Sequence, residues 1–238
     1  MADTPTAPEH LLAQALEDGG SGRGGEASPS PAQLVVLHVD DLFVVVDKPP
    51  GLPAVPGRTA ALQDCAHARV RACHGDALVV HRLDMATSGL MVFARGLEAQ
   101  RTLGRAFERR EIDKRYEAWV AGVPPQENGS IDLPLAPDWP QRPRQRVDVE
   151  RGRPALTHWS VLERARDHCR LAPQPVTGRT HQLRVHLAQI GHPILGDTLY
   201  APDAVQSMAP RLCLHATRLE MKHPQTGLRV VFESPPPF

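Results

Sequence analysis

An α+β protein built on a mixed, largely antiparallel sheet with flanking helices is the fold class that this sequence predicts. Strand-like apolar runs outnumber helical stretches, most of them follow one another directly, and the 238 residues contain no internal repeat. A chain of this length can bury a full core as one domain or as two closely joined lobes.

Residues 1–30 are rich in Gly, Ser, Pro, Ala and acids, with only a short helical run near residues 11–16. They predict a flexible, acidic, low-complexity tail ahead of a single catalytic domain over 31–238. Residues 34–37 and 43–46 read as strands, and Lys48-Pro49-Pro50-Gly51 forces a turn. Helical spacing follows over 60–73. It is clearer over 97–110, where Ala99, Leu103, Ala106 and Phe107 share one face. Between these helices, Leu78-Val79-Val80 and Met91-Val92-Phe93-Ala94 are strand-like runs around a polar insert. Tyr116, Ala118 and Val120 alternate with Glu117 and Trp119, which predicts a strand. Residues 123–154 form a Pro- and Arg-rich connection that no long helix can occupy. Strands resume at 156–162 and 168–171. A helix then starts near Thr180 as N-cap, carries Leu183, Leu187 and Ile190 on one stripe and stops at Gly191. Residues 212–219 and 228–232 predict a closing hairpin around Pro224–Gly227.

The formal net charge is zero, but it is unevenly spread. Residues 1–30 hold five acids against Arg23, a net of −4, which leaves +4 on the remainder. The bases gather in 101–115 (Arg101, Arg105, Arg109, Arg110, Lys114, Arg115) and 141–153 (Arg142, Arg144, Arg146, Arg151, Arg153). Such segments on a near-neutral protein fit a local phosphate-contacting face, although each taken singly also fits solvated surface arginines. The four cysteines have no C-x-x-C spacing and suit reduced, mostly buried thiols. No apolar run is long enough to span a bilayer, and the N-terminus has acids where a secretory signal has a basic start. A cytoplasmic protein with no membrane partner is the expectation.

The segment His81-Arg82-Leu83-Asp84-Met85-Ala86-Thr87-Ser88-Gly89-Leu90 places one carboxylate between apolar runs, with an arginine two residues before it. Thr87, Ser88 and Gly89 supply hydroxyls and a permissive turn just after it. In Thr177-Gly178-Arg179-Thr180-His181-Gln182-Leu183-Arg184, Arg184 lies on the shoulder of the leucine stripe, where a guanidinium requires an acceptor. That acceptor belongs either to a structural ion pair or to a catalytic acid kept ionised by the nearby cation, with Asp84 a candidate. His181 and His186 are five residues apart with no acid between them, a spacing that does not fit a metal site. Tyr116 is either core filler or a platform for one unpaired base. No phosphate-binding glycine loop and no serine-nucleophile elbow is present, so no nucleotide cofactor is expected.

Taken together, HRLDMATSGL with MVFA, KRYEAWVAG, TGRTHQLRVHLAQIGHPILGDTLY and the early VVVDKPPGLPAVPGR resemble the RluA family of pseudouridine synthases, in order, from about residue 34 to the C-terminus. DLPLAPDWPQRPRQ and MAPRLCLHA look closest to its dual-substrate branch. The resemblance implies the pseudouridine synthase fold with a central active-site cleft. It implies an isomerase that turns specific uridines into pseudouridine in a tRNA anticodon loop, a large-subunit rRNA loop, or both. Asp84 then matches the essential aspartate and Arg82 the arginine that enters the RNA stack when the uridine flips out. Tyr116 matches the tyrosine packed on the flipped base, Leu183 the aliphatic residue lining the uracil pocket, and Arg184 the arginine paired with the aspartate. The chemistry uses no metal and no cofactor. RNA is the partner, no protein partner is required, and a monomer is expected. Two other readings remain: a non-catalytic RNA-binding or ribosome-assembly protein on the same scaffold, and a metal-dependent hydrolase using His181, His186 and His192.

Overall fold

The computed structural model describes residues 34–238, so the tail expected over 1–30 lies outside the described residues. The first half consists of β1 (Val35–Val39), β2 (Phe43–Lys48), α1 (Ala66–Cys73), β3 (Ala77–Val79), β4 (Ser88–Arg95), α2 (Gly96–Glu108) and β5 (Asp113–Ala121). The second consists of β6 (Asn128–Asp132), β7 (Leu135–Pro137), β8 (Gln145–Val147), β9 (Leu156–Arg164), β10 (His168–Pro175), α3 (Gln182–Gln189), α4 (Asp203–Gln206), β11 (Leu214–Lys222) and β12 (Arg229–Glu233). Ten strands make one sheet in the order β1-β2-β4-β11-β5-β10-β9-β6, with β12 beside β11 and β3 beside β4; β7 and β8 pair separately. Among the described residues only β4 and β11 run parallel. The predicted mixed, largely antiparallel α+β fold is the fold observed.

The apolar runs of β2 and β4 are buried on both faces, which is why they read as continuous rather than alternating. Val44, Val46, Met91 and Phe93 pack with Val70 of α1, while Val45, Leu90 and Val92 pack with Ala99 and Leu103 of α2. A further core joins Ala118 and Val120 of β5, Leu171 of β10 and Leu183 and Leu187 of α3.

The parallel contact of β4 with β11 is the pivot of the sheet. Gly89 has φ +111°, and a Cβ there would lie 2.4 Å from the Ala216 carbonyl oxygen, so only glycine fits. Next to it, a buried polar chain ties the halves together. Ser88 Oγ lies 2.8 Å from His215 Nδ1, His215 Nε2 lies 3.0 Å from Ser234 Oγ, and Ser234 bonds Asp47.

Two expectations are corrected in detail and a third, the 123–154 connection without a long helix, gains short strands. The 60–73 stretch divides into a 3-10 turn at Ala60–Leu62 and α1, whose first turn is capped by the Cys65 Sγ accepting from Ala68 N–H. The 123–154 connection contains β6 and the β7–β8 hairpin, whose strands are short enough to hold Pro137 at an end. Thr180 is exposed and does not cap α3; His181 does, in a left-handed conformation at φ 54°. Gly191, at φ 85°, follows the helix as expected. All four cysteines are free thiols, three buried and Cys73 exposed. No described helix is long and apolar enough to cross a membrane.

Candidate active site

A cleft of about 820 Å³ opens over the centre of the sheet, and Arg82, Asp84, Tyr116, Leu183 and Arg184 all line it. Residues more than 100 positions apart therefore meet at one place, as the sequence reading requires.

Asp84 rides the loop between β3 and β4, and that loop is fixed from below. Thr87 N–H donates to Asp84 O (3.1 Å), closing a turn, and Gly51 N–H donates to Met85 O (2.8 Å). The fully buried Lys48 donates to the same Met85 carbonyl at 3.1 Å, and to Pro49 O and Leu52 O at 2.8 and 2.9 Å. Burial pulls the Lys48 ammonium down to about 7, against the attraction of Asp84, while three carbonyls match its three N–H groups. At the start of the loop, His81 Nε2 accepts from Val92 N–H at 3.0 Å, and its ring stacks on Phe107. Burial pushes this histidine down to about 3, with Lys114 adding to the effect, so it is a neutral acceptor. Leu83 is buried beside Asp84, whereas Arg82 is exposed at the mouth of the cleft.

Tyr116 enters from β5, in register with Ala216, which is itself in register with Gly89. It packs against the cores on both sides of this junction. Burial, and then the charge of Asp84, push its phenol above the usual range, so the hydroxyl is neutral.

The opposite wall is α3. Its apolar stripe is present, but Gln182, Leu183, Arg184, Val185, His186 and Leu187 are all buried, so the helix is covered on every side. Each polar residue is satisfied by a partner distant in sequence. Gln182 donates to Leu156 O and Thr157 Oγ1, and His186 sits between Thr157 Oγ1 and Leu133 O. Arg184 forms a buried two-pronged pair with Asp197, Nε to Oδ2 at 2.8 Å and Nη2 to Oδ1 at 2.6 Å. This corrects the pairing of Arg184 with Asp84: the direct acceptor is Asp197, and Asp84 acts on the guanidinium over a longer range. Asp197 also accepts from the backbone N–H groups of Leu199 and Tyr200, so its carboxylate is held rigidly behind the arginine.

Sequence reasoning missed Lys48, Asp197 and Tyr200. Lys48 looked like part of a turn, and Asp197 and Tyr200 stand in GDTLY without any spacing that reveals their partners. The histidines of the hydrolase alternative diverge: His181 bonds Tyr200, His186 bonds Thr157, and His192 bonds Ala121 O. Among the described residues no cluster of His, Cys, Asp or Glu is arranged to hold a metal ion.

The family described as RNA pseudouridylate synthase matches residues 42–189. Over 211 residues the chain is 46% identical to the dual-specificity RNA pseudouridine synthase RluA of Pasteurella multocida, covering 88% of this chain and 96% of that one. It is 47% identical, with the same coverage, to the protein of that name from Escherichia coli strain K12. Among solved structures, the human RNA pseudouridylate synthase domain containing 1 superposes with a TM-score of 0.73 at 26% identity, over 89% of this chain and 87% of that one.

Proposed function

The chain belongs to the RNA pseudouridylate synthase family and is an isomerase acting on RNA, and we propose that Asp84 is its catalytic residue. The observation that carries this reading is the convergence of the predicted residues on one cleft, with Asp84 as the carboxylate on its anchored loop. The reaction breaks the bond from uracil N1 to the sugar C1′, turns the ring and joins C5 to C1′. The C5 proton is lost and N1 gains one, so atoms and electrons balance without a redox partner. A carboxylate at this position can attack C1′, add to C6 or take the C2′ proton.

The target base must leave its stack, at a cost of a few kcal/mol that is least in a loop. Arg82 is free to swing from the mouth of the cleft into the vacated space. Tyr116 offers a ring to the flipped base, and Leu183 lines the uracil pocket beside it. Arg184, held by Asp197, places fixed positive charge near Asp84 without competing for its lone pairs. Arg110, Lys114 and Arg179 line the same cleft and supply cations for the RNA phosphates. Relatives named as dual-specificity RNA pseudouridine synthases at 46–47% identity support two RNA substrates here as well. The two we propose are a uridine in a tRNA anticodon loop and one in a large-subunit rRNA loop. The protein acts in the cytoplasm as a monomer, without cofactor or protein partner.

The test is release of tritium from RNA labelled at uridine C5. Asp84→Asn lowers the single-turnover rate by at least about a thousandfold while RNA affinity stays within a few-fold. Wild-type release from that variant removes Asp84 from the chemistry.

A further inference from the structure

Beside Asp84 stands a histidine that the reading above does not use. His181 Nε2 lies 4.0 Å from Asp84 Oδ1, with only 10% of the His181 side chain exposed. Its other nitrogen, Nδ1, lies 2.6 Å from the Tyr200 hydroxyl. That hydroxyl oxygen already accepts from the Gln145 backbone N–H at 2.7 Å. The Tyr200 proton therefore needs an acceptor, and His181 Nδ1 is the one in reach. This fixes the tautomer: Nδ1 accepts, the single ring proton sits on Nε2, and Nε2–H faces the carboxylate.

We propose that His181 is a positioning residue for Asp84, locked by Tyr200 in the tautomer that turns an N–H toward the carboxylate. The inference rests on Asp84 being the catalytic acid. The donor fixes which carboxylate oxygen faces the substrate, and closing the 4.0 Å gap by about 1 Å brings it into hydrogen-bond range, as happens when catalytic contacts tighten around a ligand.

Two further observations support the assignment. His181 has φ 54°, a left-handed backbone that non-glycine residues rarely adopt. A glycine there would relieve the strain but would lose the side chain that reaches toward Asp84. The groups facing the ring are Asp84, Asp197, Arg82, Arg184 and Tyr200. Burial outweighs the two acids, and the two arginines add to it, so the imidazole stays below its usual range and works as a neutral donor rather than a counter-ion. Gln145 opens β8, so the same hydroxyl also ties the arginine-bearing β7–β8 hairpin to the site.

The experiment uses the full chain and bulk tRNA labelled with tritium at uridine C5, read as single-turnover rate, RNA affinity and rate–pH profile. His181→Ala is expected to slow turnover about 10- to 100-fold, the loss of one hydrogen bond to a charged group, with RNA affinity within twofold. His181→Gln, which can present an amide N–H at the position of Nε2, recovers most of that loss. His181→Asn, which tolerates the left-handed backbone but is too short to reach Asp84, behaves like the alanine variant and replaces it if alanine fails to fold. In Tyr200→Phe the neutral imidazole loses the donor to Nδ1, so His181 protonates more readily and the acid limb of the profile moves to higher pH. A wild-type rate in the alanine and asparagine variants, a glutamine variant no faster than alanine, or an unmoved limb in Tyr200→Phe overturns the proposal. Asp84→Asn separates the two claims: if it is inactive while His181→Ala is normal, only the role of His181 fails.

Discussion

On one wall of the cleft, Asp84 sits in a loop held at backbone atoms: Met85 O receives the Lys48 ammonium and the Gly51 N–H, and the His81 ring accepts from Val92 N–H. On the other, Leu183 and Arg184 ride a helix whose polar side chains are tied to distant side chains and carbonyls. The first wall tolerates changes in the loop's exposed side chains so long as Lys48, His81 and the backbone stay in place. The second depends on particular pairs in a dry interior, where losing one partner leaves the other buried and unsatisfied. Asp84 is thus carried on a wall held at its backbone, while the charge beside it is set by side-chain pairs across the core.

The largest difference between the walls should appear at Asp197. Asp197→Asn leaves the buried guanidinium of Arg184 without its anion, and a loss of about 3–5 kcal/mol is expected in urea unfolding. An equal loss from a single substitution in the 81–87 loop would erase the contrast.

Lys48 tests the first wall through pH. Lysine in an unfolded chain titrates near 10.5, whereas Lys48 in the fold is pulled down to about 7. Between those values the unfolded chain holds a proton that the folded chain has released, so stability rises with pH across the window and is flat below it. The slope from this group is at most about 1.4 kcal/mol per pH unit. Lys48→Met is expected to lose that slope relative to wild type when urea midpoints are followed from pH 7 to 9. Parallel curves for the two proteins would show that Lys48 stays charged throughout.

Tyr116 lies at the seam between the walls, and its effect is expected in activity rather than in stability. Tyr116→Leu removes a stacking face worth about 1–3 kcal/mol per base and is expected to lower kcat/KM about tenfold or more. Tyr116→Phe keeps the ring, and kcat/KM is expected to remain within about twofold. A phenylalanine variant whose kcat/KM falls as far as leucine's would shift the role from the ring to the hydroxyl.

Most strands were legible because apolar runs bounded by Gly and Pro identify buried strands whatever lies beside them. The α2 stripe was legible for the same reason, since Ala99 and Leu103 face one core. The cap of α3 was misread because Thr180 fits local capping rules, while the observed geometry requires a strained His181 that only the surrounding contacts hold in place. The partner of Arg184 was misassigned for a related reason: two acids, 100 positions before it and 13 after it, were equally open to a sequence reading.

The sequence by itself determined the fold class, the family and the residues that meet in the cleft. Each of these is written in local patterns of polarity, turn chemistry and ordered motifs. Only the tertiary structure decided which charges pair, that Arg184 belongs to Asp197, that Lys48 supports the Asp84 loop and that His181 turns its N–H toward the acid. Those choices depend on distances of a few ångströms between segments remote in the chain, and hydrogen bonds and buried charges discriminate at that scale.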